Sequence, residues 1–291
     1  MWIFFAAMSA IFAGLTSILA KLGIKKTDSN VATVIRTVVV IFVALLMVLI
    51  VGSIGDIKSI SSDSWIFLIA SAIGTGLSWI CYFKALSIGD VNKVVPIDKS
   101  STVLTVLLAS IFLKETVTIY GAFGLAFMII GTYLMTSQKQ SAKFLDNPKK
   151  GKYGYLVYAV LSAVFASLTA ILGKVGISGV ESNLGTFIRS IIVLFMAIII
   201  VLIQGKGKEI FKIDKKELGY ICLSGLATGC SWLCYFSALK DGIVGVVVPI
   251  DKLSIVVTVA FSYFVLKEKM NLKSLSGLLL IVVGTLSMLI K

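Results

Sequence analysis

The chain has 291 residues, 58% of them hydrophobic and only 14% charged, with a mean hydropathy of +1.04. A soluble domain carries about a quarter charged residues, so in water this chain would expose a large apolar surface, and the bilayer is the solvent that fits. The net charge is +13, but most of the positive charge lies in short stretches between apolar runs, where it reads as a topology and lipid signal and not as a nucleic-acid surface.

A helix crosses the hydrocarbon core in about 20 apolar residues. Ten segments meet that length, at 2–22, 31–52, 64–87, 91–113, 117–136, 153–174, 183–204, 217–239, 244–266 and 272–290. The expected fold class is therefore an all-α membrane protein with ten transmembrane helices. The first segment starts apolar at Trp2, without a basic n-region or an A-x-A site, and reads as a retained helix and not a cleaved signal. The longest connection, 137–152, is polar and basic, contains Pro148, and reads as a linker between halves.

Those halves repeat. Shifted by 153 residues, the chain aligns with itself without a gap. SAIFAGLTSILAKLGI from Ser9 faces SAVFASLTAILGKVGI from Ser162, and TGLSWICYFKAL from Thr75 faces TGCSWLCYFSAL from Thr228. VVPIDK occurs at Val94 and Val247, and FLKE at Phe112 faces VLKE at Val265. Residues 1–136 make the first five-helix repeat, 137–152 the basic linker and 153–291 the second repeat.

Five helices is an odd number, so the second copy must enter the membrane from the opposite side. The lysines agree. The connection between segments 2 and 3 holds Lys58, whereas its counterpart holds Lys206, Lys208, Lys212, Lys215 and Lys216. Lys25 and Lys26 follow the first segment, whereas 178–182 has no lysine. A reversed bias is what inverted repeats require under the positive-inside rule, and it places both termini outside a plasma (inner) membrane.

Two five-helix repeats, a Pro-containing fourth segment and a closing F/V-L-K-E together resemble the EamA branch of the drug/metabolite transporter superfamily. The duplicated SW-x-CYF-x-AL and VPIDK segments look especially like small one-repeat EamA-like proteins, which would have to pair to make a full transporter. The resemblance implies export or exchange of amino acids, choline-like amines, nucleotide sugars or other metabolites, without fixing the substrate. Many two-repeat members are held to have cytoplasmic termini, whereas the lysine distribution here places both outside.

Charges inside a bilayer are costly and by default mark function or a specific partner. Seven candidates lie within the apolar runs: Arg36, Lys84, Asp98, Lys99, Arg189, Asp251 and Lys252. Asp98 and Lys99 follow Pro96, and Asp251 and Lys252 follow Pro249. Proline tends to break a helix, and a break lets a helix end face a cavity. Asp98, Lys99, Asp251 and Lys252 are thus candidates for ion or proton coupling, or else for buried ion pairs such as Asp98 with Lys99 or Arg36. Arg36 and Arg189 either snorkel to the headgroups, hold a substrate carboxylate or phosphate, or clamp the Asp of their own repeat. Lys84, whose counterpart is Ser237, reads as snorkelling.

Trp79, Tyr82, Trp232 and Tyr235 share one side of segments 3 and 8. They form either core packing or the wall of a substrate cavity, where they could hold an organic cation or stack on a planar solute. The neighbouring stripes, Gly74, Ser78, Cys81, Ala85 and Ala227, Ser231, Cys234, Ala238, are small and read as helix-packing faces. So do Ser9, Ala13, Thr16, Ala20 and Ser162, Ala166, Thr169, Gly173 on segments 1 and 6.

The chain has no His, no carboxylate cluster and no Walker A motif, which argues against a membrane enzyme and an ATP-driven pump. Cys81, Cys222, Cys230 and Cys234 have no zinc or CxxC spacing and read as buried thiols, so no metal site or cofactor is expected. The expected protein is a secondary transporter of a small polar metabolite, an amino acid or organic amine, acting as a monomer or homodimer in the lipid bilayer. Proton or counter-substrate coupling would drive it. A channel or a structural membrane protein is the alternative.

Overall fold

The computed structural model describes residues 1–23, 27–88, 97, 100–136, 154–264 and 272–290, which hold eleven α-helices and no strand. In the first half these are α1 (Trp2–Gly23), α2 (Ser29–Val51), α3 (Ser62–Ile88), α4 (Ser101–Phe112) and α5 (Ile119–Thr136). The second half holds α6 (Gly154–Ile177), α7 (Ser182–Ile203), α8 (Lys215–Asp241), α9 (Val244–Lys252), α10 (Ser254–Phe264) and α11 (Leu272–Ser287). By length and composition α1, α2, α3, α6, α7 and α8 can each cross a membrane, and α4, α5 and α11 are shorter apolar helices. The linker 137–152, with Pro96, Asp98 and Lys99, lies outside the described residues.

The ends of α2 and α7 show how the duplicated sequence fixes duplicated structure. Asp28 caps α2 by accepting the N–H groups of Asn30 and Val31, and Glu181, at the matching position, accepts those of Asn183 and Leu184. At the other end Gly52 and Gly205 take the left-handed conformation, with φ of 76° and 70°, which glycine adopts without strain. Short 3₁₀ turns, Ser53–Ser59 and Gly207–Phe211, follow each.

Most of the packing is between the two repeats. α1 lies along α8 and α3 along α6, two pairings that exchange under the 153-residue shift. α2 lies along α7 and α5 along α11, pairings that map onto themselves. The small-residue stripes make these contacts. Ser231 donates to the Ser9 carbonyl at 3.1 Å, and Ser78 to the Ser162 carbonyl at 3.1 Å. Ser224 donates to the Thr16 carbonyl at 3.0 Å, and Ser71 to the Thr169 carbonyl at 2.6 Å. In a bilayer, where apolar burial drives helix association little, such close approach and hydroxyl bonding supply the cohesion. α5 and α11 meet at glycines: a Cβ on Gly124 would strike the Gly284 carbonyl, and one on Gly131 would lie 2.5 Å from the Gly277 carbonyl.

Candidate functional site

The ninth segment is not one helix, as its length suggested, but two. Pro249 has no N–H to offer the Gly245 carbonyl, so the ladder of α9 loses a rung. The chain yields four residues later, at Leu253, whose N–H bonds the Ile250 carbonyl at 2.9 Å before α10 begins. The same turn stands in the first repeat, where the Ser100 N–H bonds the Ile97 carbonyl at 3.2 Å just before α4. Asp251 and Lys252 end α9, half-buried beside this break.

Ser9 of α1 donates to Oδ1 of Asp251 at 2.7 Å, and its hydroxyl also lies 3.2 Å from that of Ser231. Tyr235, one turn further along α8, is within electrostatic reach of both Asp251 and Arg189. Its ring meets Phe236 edge-on, with centroids 5.2 Å apart. Among the described residues Asp251 has no ion-pair partner, so the adjacent Lys252 does not neutralise it.

Arg189 does not snorkel. It is 2% exposed, and its guanidinium donates to the hydroxyls of Ser71 and, at 3.4 Å, Thr75. Its face lies 4.4 Å over the ring of Phe236. Nε has no partner, and among the described residues no carboxylate pairs with this cation. The two hydroxyls it touches already have backbone acceptors, Ser71 on Thr169 and Thr75 on Ser71. Its counterpart Arg36 is half-buried and, among the described residues, donates to Thr33 on its own helix, at 3.3 Å. A Cβ on Gly173 would lie 3.1 Å from both Phe236 and the Ser71 hydroxyl and 3.7 Å from Arg189; the matching residue in the first repeat is Ala20.

The four aromatics separate. Trp232 and Tyr235 pack on the cluster that contains Ala6, Val247 and Val248. Trp79 packs against Val31, Val34, Ala197 and Val201, and Tyr82 against Ala85 and Ala159. Arg189, Tyr235, Asp251 and Trp232 are thus gathered around α8 and α9, while Trp79, Tyr82 and Arg36 stand apart from them. Lys84 is exposed on α3.

Two charges that sequence reasoning passed over hold the approach to α9. Glu115 closes the FLKE motif, and its carboxylate accepts the N–H groups of Val244 and Gly245, both at 2.8 Å, capping α9. Lys174 donates to the carbonyls of Lys240 and Gly242, both at 2.8 Å, at the end of α8. Aiming Glu115 requires Lys114 at φ 55°, a left-handed conformation that costs a non-glycine residue about 1–3 kcal/mol. The signal was present: FLKE and VLKE recur in both halves, each with a Glu at the same register. The counterpart, Glu268, lies outside the described residues.

A broken helix between interleaved repeats is an arrangement that membrane carriers use. A sequence model of the EamA-like transporter family matches residues 1–137 and again residues 154–290. The chain belongs to the EamA-like transporter family. This EamA protein is 39% identical over 134 residues to the uncharacterized transporter in cobO 3'region of Sinorhizobium sp., which covers 46% of this chain and 95% of that one. An uncharacterized protein of Methanocaldococcus jannaschii is 28% identical over 129 residues, 44% of this chain and 91% of that one. Both relatives are about the length of one repeat. The uncharacterized transporter YxxF of Bacillus subtilis is 26% identical over 113 residues, 39% of this chain and 35% of that one. A solved crystal structure aligns with a TM-score of 0.75 at 14% identity, covering 97% of this chain and 94% of that one, a likeness of fold alone. Family and apolar helices together make this a multi-pass membrane transporter.

Proposed function

We propose that this EamA protein is a secondary transporter, an exporter or exchanger, that carries a small amphoteric metabolite such as an amino acid across the plasma membrane by alternating access. Ten spans in two inverted five-helix repeats, with both termini outside, form the working unit. The observation that carries the reading is two opposite charges, Arg189 and Asp251, both within electrostatic reach of Tyr235 and neither with an ion-pair partner among the described residues. A buried cation held only by hydroxyls and an aromatic face is under-compensated, and it is retained at a cost to stability. A substrate carboxylate satisfies Arg189, with Arg36, which differs in its contacts, as the corresponding cation of the first repeat. Trp232 and Tyr235 favour an ammonium group beside Asp251, with Trp79 and Tyr82 as the corresponding aromatics of the first repeat.

Asp251 and Asp98, with the adjacent Lys252 and Lys99, are the ion- or proton-coupling groups. Ser9 links Asp251 across the repeat boundary, so a change of protonation reaches the contact between α1 and α9. Asp98→Asn and Asp251→Asn together abolish coupled transport in proteoliposomes while leaving the fold intact; normal coupled flux in the double variant removes the coupling assignment. The lysine bias puts the 205–216 loop in the cytoplasm, and labelling of a cysteine placed there from the outside would reverse that orientation.

A further inference from the structure

We propose that Glu115 and Lys174 form a clasp that holds the turn between α8 and α9 shut at one end of the bundle, and that release of Glu115 from α9 opens this end. The inference rests on the alternating-access reading and adds to it a positioning pair that touches no substrate.

The turn is a junction of two helix ends. The last carbonyls of α8 carry partial negative charge and the first N–H groups of α9 partial positive charge. Each is met by the opposite full charge, Lys174 on the carbonyls of Lys240 and Gly242, and Glu115 on the N–H groups of Val244 and Gly245. Glu115 and Lys174 are also within electrostatic reach of each other. They come from different repeats, Glu115 from the link between α4 and α5 and Lys174 from the end of α6. The grip of Glu115 therefore crosses the boundary along which two inverted repeats would rock, while Lys174 holds the same turn from within its own repeat.

Two further contacts close the junction. A Cβ on Gly242 would lie 2.8 Å from the Trp2 ring and 2.8 Å from Val247, so the turn is packed flat against the start of α1. The Ala109 carbonyl accepts both the Leu113 and the Glu115 N–H, at 2.9 and 3.3 Å, with Lys114 left-handed between them. This strained backbone sets the carboxylate against α9. On its open side a cavity of 370 Å³, lined by Trp2, Glu115, Thr118, Ile243, Val246 and Met288 among others, gives the carboxylate and the first turn of α9 room to move. α9 is nine residues long and ends at the Leu253 break, so displacement of its first turn is transmitted to Asp251.

The test is thiol labelling of the full-length protein in detergent, with the four native cysteines replaced by serine. Val247, which is 0% exposed on α9, is replaced by Cys, and Ile221, 2% exposed near the opposite end of α8, is replaced by Cys separately as a reference. A hydrophilic maleimide is the probe. E115Q is expected to raise the labelling rate of the Val247→Cys protein by about tenfold or more and to leave that of the Ile221→Cys protein unchanged. Unchanged labelling at Val247→Cys, or an equal rise at both positions, overturns the clasp. E115D, whose carboxylate keeps its charge but is too short to reach both N–H groups, is read in the same way where E115Q does not fold. Selective opening in a protein with no saturable flux would leave the clasp standing and remove the transporter reading. Unchanged labelling in a protein that transports would remove the clasp alone.

Discussion

Ser9 of the first repeat donates a hydrogen bond of 2.7 Å to Asp251 of the second, the shortest described link between the two halves at the broken helix. With Ser231 alongside, it makes a hydroxyl pair that can follow the carboxylate as its charge changes. Ser9→Ala leaves Asp251 without its described donor while removing little volume. Coupled flux in proteoliposomes is expected to fall about threefold to tenfold, because the carboxylate loses the hydroxyl that ties it to α1. Flux of the variant beside wild type checks this; unchanged coupled flux argues against Asp251 as the coupling group.

Arg189 separates function from stability. Replacing it by Met removes a desolvated cation and orphans no hydroxyl, since Ser71 and Thr75 keep their backbone acceptors. The expected outcome is a melting temperature unchanged or raised, in keeping with the gain of up to about 4 kcal/mol seen when buried ionic groups become apolar. Flux should be lost. Calorimetry in detergent with parallel flux measurement checks both. A melting temperature lowered by about 10 °C or more with normal flux would make Arg189 a structural pin.

The contact between α5 and α11 depends on glycines at the crossing. Gly124→Leu puts a side chain onto the Gly284 carbonyl and is expected to cost about 1–3 kcal/mol. Gly219 on α8 has nothing within 4 Å of its added Cβ, so Gly219→Ala should be neutral or stabilise by up to about 1 kcal/mol. Thermal unfolding of the two variants in one detergent checks the contrast.

Asp28 ties the two halves at one end of the α2–α7 pair by an ion pair with Lys206, whereas at the other end the described link from Glu181 to the first repeat is the Ser53 hydroxyl, which donates to it at 3.1 Å. Burial pushes the Asp28 carboxyl up, but the hydrogen bond and charge of Lys206 and the N–H groups of Asn30 and Val31 outweigh it and hold it below 3.8. A depressed carboxylate contributes stability that is fully present above its unfolded value and lost as pH falls through the folded one. Wild type is therefore expected to outlast Asp28→Ala at pH 7, by about 0.5–2 kcal/mol for the cap, with the gap closing below pH 3.8. Melting curves across that range check it.

The helices and the duplication were legible because membrane-length apolar runs and motifs such as VVPIDK are signals carried within single segments. Partner choice was less so: Ser78 on Ser162 and Ser231 on Ser9 join residues from different repeats, and a small-residue stripe says that a helix packs closely without saying against which one. Pro249 announced a break, but the ladder gave way at Leu253, where the strain is released and not where it is introduced. Arg36 and Arg189 looked equivalent and are not: Arg189 reaches Ser71 and Thr75 of the other repeat, whereas Arg36 reaches Thr33 of its own helix. Glu115 was in view as a motif letter. Its role as a cap needed the fold, since its acceptors serve a helix more than a hundred residues away.

The central claim is that this EamA protein carries its solute by alternating access. Counterflow tests it most directly. Proteoliposomes holding the purified protein are loaded with a mixture of unlabelled amino acids, amines and organic anions, and entry of each labelled solute is followed. For at least one zwitterionic solute, uptake is expected to saturate, to overshoot transiently, and to be lost in Asp251→Asn. Flux that rises linearly with concentration and shows no overshoot would contradict a carrier and indicate a channel.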